Sequence, residues 1–208
     1  SKIVRGGDRI GIYFCEKGFS QRPSQVIYDR AHSAISEIAP EDYDAAAVME
    51  GADWFHWTGI TPAISDRAAD MTAALLAEAE RRGVTVSCDL NFRKKLWSKQ
   101  KAGEVMSELV KKVDVLISNE EDCKDVFGIE AEGSSIKDGS LSKDGYVQIG
   151  RKLLKAFPRL KGAAFTLRES YSANRNGWSA LYVTADAVYE SKRYDVSIID
   201  RVGGGDSF

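Results

Sequence analysis

The chain has 208 residues, with 29 Lys and Arg against 31 Asp and Glu and a formal net charge of −2. That length supports one α/β domain with a real core, and the even charge excludes nucleic acid as the main partner. No apolar run approaches a membrane span, and the start does not read as a signal peptide. Cys15, Cys88 and Cys123 are odd in number and lack CxxC spacing. They read as reduced thiols of a cytoplasmic protein, neither a disulfide framework nor a zinc site.

In chain order, Arg9 to Cys15 and Gln25 to Ala31 read as two strands, joined by a segment with Gly18 and Pro23. Period-two alternation places Tyr13 opposite in face to Ile12 and Phe14, and puts Val26, Tyr28 and Arg30 on one face. Glu41 to Glu50 reads as a short helix, with Pro40 before it and Gly51 after it. Trp54 to Thr58 is a strand. Ser65 caps a helix from Asp66 to Arg82, whose Ala68, Met71, Leu75 and Ala79 form a core stripe and which Gly83 ends. Val84 to Leu90 is a buried strand, Ser98 to Val113 a helix and Val115 to Ser118 a strand. Glu120 to Phe127 is a helix, Ile129 to Gly145 a surface loop and Tyr146 to Phe157 a helix. Gly162 to Leu167 is a strand, Ser179 to Thr184 and Ala187 to Arg193 a hairpin, and Val196 to Ile199 a strand end.

Alternating strands and helices imply a parallel sheet covered on both faces. Ligands of such sheets bind beyond the carboxyl ends of the strands. That rule selects Asp89, Asn91 and Arg93, then Asn119 and Asp122, then Thr166 and Arg168, then Gly203 to Asp206. An Arg at a strand end can grip a carboxylate or phosphate with a bidentate pair, or close a surface salt bridge. Asn119 alone would serve as a helix N-cap. Gly203, Gly204 and Gly205 allow a sharp turn and close approach of an anion to main-chain N–H groups. A helix beginning there would add its unpaired N–H groups, and Asp206 would stand beside the anion as a base.

The string Asp200-Arg201-Val202-Gly203-Gly204-Gly205-Asp206-Ser207-Phe208 resembles a signature of the ribokinase-like (PfkB) carbohydrate kinases. Asp89 to Trp97 and Tyr28 to Ala34 are similar to segments of the 2-keto-3-deoxygluconate kinase branch. Asn119 to Asp122 stands where the family carries Asn-x-x-Glu. Thr166 to Glu169 stands where it carries Thr-x-Gly-x-x-Gly. The resemblance implies an α/β three-layer sandwich with a mostly parallel central sheet. Residues 1–36 would be part of a small β lid and residues 37–208 a core incomplete at both ends, so that the chain is an internal portion of a longer protein.

The same resemblance implies ATP-dependent phosphorylation of a sugar acid, with Asp206 as catalytic base and Gly203 to Gly205 as anion hole. Tyr13, Tyr28, Arg30 and Arg93 would contact the sugar acid. Asn91, Arg93, Asn119, Thr166, Arg168, Gly203 and Gly205 would hold ATP. Asn119 and Asp122 would act on Mg²⁺ through water. A homodimer through the lid is the partner it suggests, with no nucleic acid and no membrane. A fructokinase-like enzyme would need neither Arg30 nor Arg93. A non-catalytic sugar- or nucleotide-binding module would not need Asp206.

Overall fold

A computed structural model describes residues 2–132, 142–199 and 203. Two strands, β1 (Ile12–Glu16) and β2 (Gln25–Asp29), form a separate antiparallel ribbon. Their register sets Tyr13 opposite Tyr28 and Phe14 opposite Ile27. One face of the ribbon therefore carries Tyr13, Val26 and Tyr28, and the other Ile12, Phe14 and Ile27. This is the alternation expected from the sequence, with each strand shorter by two residues.

The remaining strands form one seven-stranded sheet. They are β3 (Trp54–Thr58), β4 (Thr85–Asp89), β5 (Val115–Ser118), β6 (Gly162–Ser172), β7 (Arg175–Thr184), β8 (Val188–Glu190) and β9 (Tyr194–Ser197). Strands β3 to β6 run parallel. Strands β7, β8 and β9 add antiparallel pairings, so the sheet is mixed. The expected end of β6 at Leu167 falls five residues short of the observed one. Seven further residues, Glu169 to Arg175, hold two strand ends and a tight turn that charge and Ser-Asn content disguised as loop.

The helices are α1 (Ala34–Glu37), α2 (Ala45–Met49), α3 (Ile60–Ile64), α4 (Asp66–Arg82), α5 (Lys99–Val110), α6 (Glu120–Phe127) and α7 (Lys143–Ala156). The long ones follow the sequence closely because their caps are explicit. Ser65, Ser98, Asn119 and Ser142 each accept a backbone N–H three residues on. Gly83 and Gly128 end α4 and α6 in the left-handed conformation. Ser142 starts α7 three residues earlier than the apolar pattern indicates. The single helix expected over 41–50 is instead a 3₁₀ turn, Pro40–Asp42, followed by α2. Asp44 accepts from Ala47 N–H at 3.0 Å and so restarts the helix as a cap. Helix α3 escaped the sequence reading because Pro62 sits inside it.

One core organises these elements. Trp57, Val86, Cys88, Leu116, Phe165 and Val183 project from one sheet face. They meet Leu75 and Leu76 of α4, Met106 and Val110 of α5, Val126 of α6 and Ile149 and Leu153 of α7. Among the described residues the helices thus cover one face of the sheet rather than both. Gly59 permits the tightest crossing: a Cβ there would lie 2.1 Å from Leu90 O. The close approach aligns the ends of β3 and β4 beneath the site. No described helix is long and apolar enough to cross a membrane.

Candidate active site

A cleft of about 1260 Å³ opens beyond the carboxyl ends of the parallel strands. Its floor and walls gather Asp89, Asn91, Arg93, Asn119, Asp122, Thr166 and Arg168, together with Tyr28 and Arg30 of the ribbon. These come from the ends of β4 and β5, the middle of β6 and the ribbon, up to 140 residues apart in sequence. The strand-end rule places the β4 and β5 residues on one surface for a topological reason, and β6 runs on past Thr166 and Arg168 to form a wall.

The β4 end is built tightly. Asn91 is buried with φ +40°, an uncommon conformation for a residue with a Cβ. Its amide donates to Thr58 Oγ1 at 3.2 Å. Phe92 N–H donates to Asp122 Oδ2 at 3.0 Å. Leu96 N–H donates to Arg93 O at 2.8 Å and closes a turn. Arg93 is exposed on that turn and lines the cleft.

At the start of α6, Asn119 is an N-cap, its Oδ1 accepting Asp122 N–H at 2.8 Å. Burial pushes the Asp122 carboxyl up to about 6, against the Phe92 N–H, Arg93 and Asn119, which favour the charged form. Among the described residues no group of three His, Cys, Asp or Glu could hold a metal ion directly.

The far wall comes from β6 and β7. Arg168 Nε donates to Asn176 Oδ1 at 2.6 Å, and its guanidinium lies 5.9 Å from the Trp178 ring centre. Asn176 is fully buried and also donates to Ser172 O at 3.2 Å. A side chain replaces the glycine of the resembled pattern here, and a buried amide fixes where it goes. Thr166 is half-buried on the same wall.

The ribbon supplies the roof. The Arg30 guanidinium sits 4.0 Å from the Tyr28 ring centre. Tyr13 is set back: its ring packs on Tyr28 at 6.1 Å between centres, and it does not line the cleft. Gly203 adopts φ +65°, a left-handed bend suited to glycine. Gly204, Gly205 and Asp206 lie outside the described residues.

Sequence reasoning missed Trp178 and Tyr146, both of which line the cleft. The Tyr146 hydroxyl donates to Glu120 Oε2 at 2.8 Å, and burial with that carboxylate raises its pKa. Trp178 pairs with Arg168 across the β6–β7 hairpin, in a stretch to which the sequence reading assigned no element. Tyr146 carried no signal apart from its helical spacing. The two buried thiols, Cys88 and Cys123, are pushed up by desolvation, Cys123 to about 12, and play no part here.

The pfkB family carbohydrate kinase model matches residues 1–158. The chain belongs to the pfkB family of carbohydrate kinases. Among pfkB relatives, a 2-dehydro-3-deoxygalactonokinase from Haloferax volcanii is 32% identical over 200 residues, covering 96% of this chain and 56% of the relative. The crystal structure of a 2-dehydro-3-deoxygluconokinase from Thermotoga maritima superposes with a TM-score of 0.91 at 47% identity. It covers 98% of this chain and 60% of that one. A pfkB family carbohydrate kinase from Listeria grayi is 30% identical with a TM-score of 0.85, covering 97% of this chain and 59% of that one. The chain thus spans a little over half the length of these pfkB relatives. The ribokinase-like fold with its mixed sheet is one that the chain shares with them.

Proposed function

We propose that the protein carrying this chain transfers a phosphoryl group from ATP to a hydroxyl of a sugar acid of the 2-keto-3-deoxygluconate type. The observation that supports it is the pair Arg30 and Arg93, which line the same cleft. One comes from the lid and one from the β4 turn. A neutral sugar offers neither a counter-charge, whereas a carboxylate suits both. The names of the Thermotoga and Haloferax relatives agree with an acidic substrate and differ in the configuration of the sugar.

The cleft fits a polyphosphate at its other end. Arg168 and Thr166 offer a guanidinium and a hydroxyl, Asn119 an amide on the helix start, and Asn91 a buried amide on the floor. Gly203 to Gly205 would bring main-chain N–H groups to the transferring phosphoryl. Asp206 would orient the acceptor hydroxyl and take its proton. ATP·Mg²⁺ supplies the phosphoryl group and the neutralising charge when bound. Asn119 would reach the ion through water, while the Asp122 carboxylate is engaged with the Phe92 N–H. Tyr28 and Tyr13 would close the roof over the sugar, Tyr13 from behind. The enzyme would be cytoplasmic, and the apolar outer face of the lid, Ile12, Phe14 and Ile27, would suit a second copy of the protein.

Phosphorus NMR of the reaction mixture tests the reading. A new phosphate monoester should form from ATP and the sugar acid. Asp206→Asn should slow it by roughly two orders of magnitude or more while leaving ATP binding intact. An unchanged rate in that variant would remove Asp206 from the mechanism.

A further inference from the structure

We infer that Asp122 is a positioning residue for Arg93: its carboxylate pins the Phe92 peptide and so holds the next side chain on the cleft wall. The inference rests on the reading of Arg93 as a partner of the substrate's carboxylate. Three hydrogen bonds fix the backbone around Arg93. Leu90 N–H donates to Ile117 O at 2.9 Å, the last pairing between β4 and β5. Two residues on, the strand has ended and Phe92 N–H has no neighbouring strand to bond. Asp122 Oδ2 accepts it at 3.0 Å. Leu96 N–H then donates to Arg93 O and closes the turn.

The middle link matters most. Residues 90 to 92 are buried, and a buried peptide N–H without an acceptor is costly. Asn91 holds a positive φ just before it, so the turn has an alternative, relaxed conformation to fall into. Relaxation there would change the direction of the Arg93 Cα–Cβ bond. Asp122 is itself held in place, because its own N–H is bonded to the Asn119 cap. Two sequence segments read separately, Asp89 to Trp97 and Asn119 to Asp122, are therefore one unit. Through it the start of α6 sets the geometry of the sugar-acid end.

The competing role for Asp122 is a metal-side group, and two substitutions separate the two. Asp122→Asn keeps a side-chain oxygen for the Phe92 N–H but loses the charge. Asp122→Ala loses both. Positioning predicts that Asp122→Ala raises KM for the sugar acid about tenfold, the scale of one lost charged hydrogen bond, with little change in kcat. Asp122→Asn should stay within about threefold of wild type, and neither should raise the Mg²⁺ concentration needed for half-maximal rate. In an Arg93→Ala background, Asp122→Ala should add no further loss. A raised Mg²⁺ requirement in both variants, with KM for the sugar acid unmoved, would overturn the inference.

Hydrogen exchange on the wild-type protein reads the link without a variant. The Phe92 amide should exchange slowly, as a bonded buried amide does. Fast exchange at Phe92 beside slow exchange at Leu90 would contradict it. Absence of sugar-acid phosphorylation by the wild type would instead strike the proposed function and leave the exchange result standing.

Discussion

The Arg30 guanidinium packs over the face of the Tyr28 ring, 4.0 Å from its centre. Both belong to the two-stranded ribbon and its end, and the register that sets Tyr13 against Tyr28 backs the stack from behind. An exposed cation–π contact contributes about 0.5–1 kcal/mol. Its effect here is to cut the rotamer freedom that Arg30 would lose on meeting a carboxylate. Tyr28→Ala should therefore raise KM for a sugar acid by roughly twofold to fivefold from the stack alone. Tyr28→Leu should behave like Tyr28→Ala, and Tyr28→Phe should restore the part that comes from the ring. Steady-state kinetics on the three variants checks this, and equal losses in Phe and Ala variants would assign the effect to the hydroxyl.

Asp122 makes stability depend on pH in an unusual direction. Its carboxyl is pushed from 3.8 up to about 6 in the folded protein, chiefly by burial. The folded state thus binds a proton more readily than the unfolded one. Its contribution to stability is fully present below the unfolded value and is lost as pH rises through about 6. Asp122→Asn cannot ionise. Its stability relative to wild type should grow by on the order of 1–3 kcal/mol between about pH 4 and pH 7. Paired urea melts at several pH values measure this. A difference that shrinks over that range would mean the carboxyl is stabilised in its charged form.

Gly59 should not accept a side chain. An added Cβ would lie 2.1 Å from Leu90 O, a backbone atom that the β4–β5 pairing holds. Gly59 N–H also donates to Asp89 O at 2.8 Å, so the two strand ends cannot part freely. Gly59→Ala should destabilise the fold by about 1–3 kcal/mol, as for overpacking. Gly51→Ala, which meets nothing but has φ +65°, should cost about 1 kcal/mol. Thermal unfolding of both variants gives the comparison, and a smaller loss at Gly59 than at Gly51 would refute the crossing described.

Much of this site was legible before the fold. Asn91, Arg93 and Asn119 follow apolar strands, and parallel topology alone brings strand ends together, whereas Arg168 lies within β6, which runs five residues past its expected end. Helices α4, α5 and α6 were legible because Ser65, Ser98 and Asn119 announce their starts. What was hidden has a common cause, contacts that form only in three dimensions. Asn176 reads as a loop residue until Arg168 needs an acceptor across the hairpin. Asp122 reads as an outer-shell Mg²⁺ group at a helix start until the Phe92 peptide is found on its carboxylate. Tyr13 shares a face with the cleft-lining Val26 and Tyr28 by alternation, yet the ribbon's pose keeps it behind Tyr28. Helix α3 was masked by Pro62, which local propensity counts against a helix and which the first turn tolerates.

The most direct test of the account is the ratio of kcat/KM for 2-keto-3-deoxygluconate to that for fructose, in the wild type and in Arg93→Ala. An ATP-coupled assay supplies both numbers. The wild type should prefer the sugar acid. Arg93→Ala should lose about 2–5 kcal/mol with the acid, as for a charge pair desolvated by the bound substrate that loses one partner, and much less with fructose. The ratio should then fall toward one. An equal loss with both sugars would place Arg93 on the phosphate side, and a wild type that prefers fructose would contradict the sugar-acid reading itself.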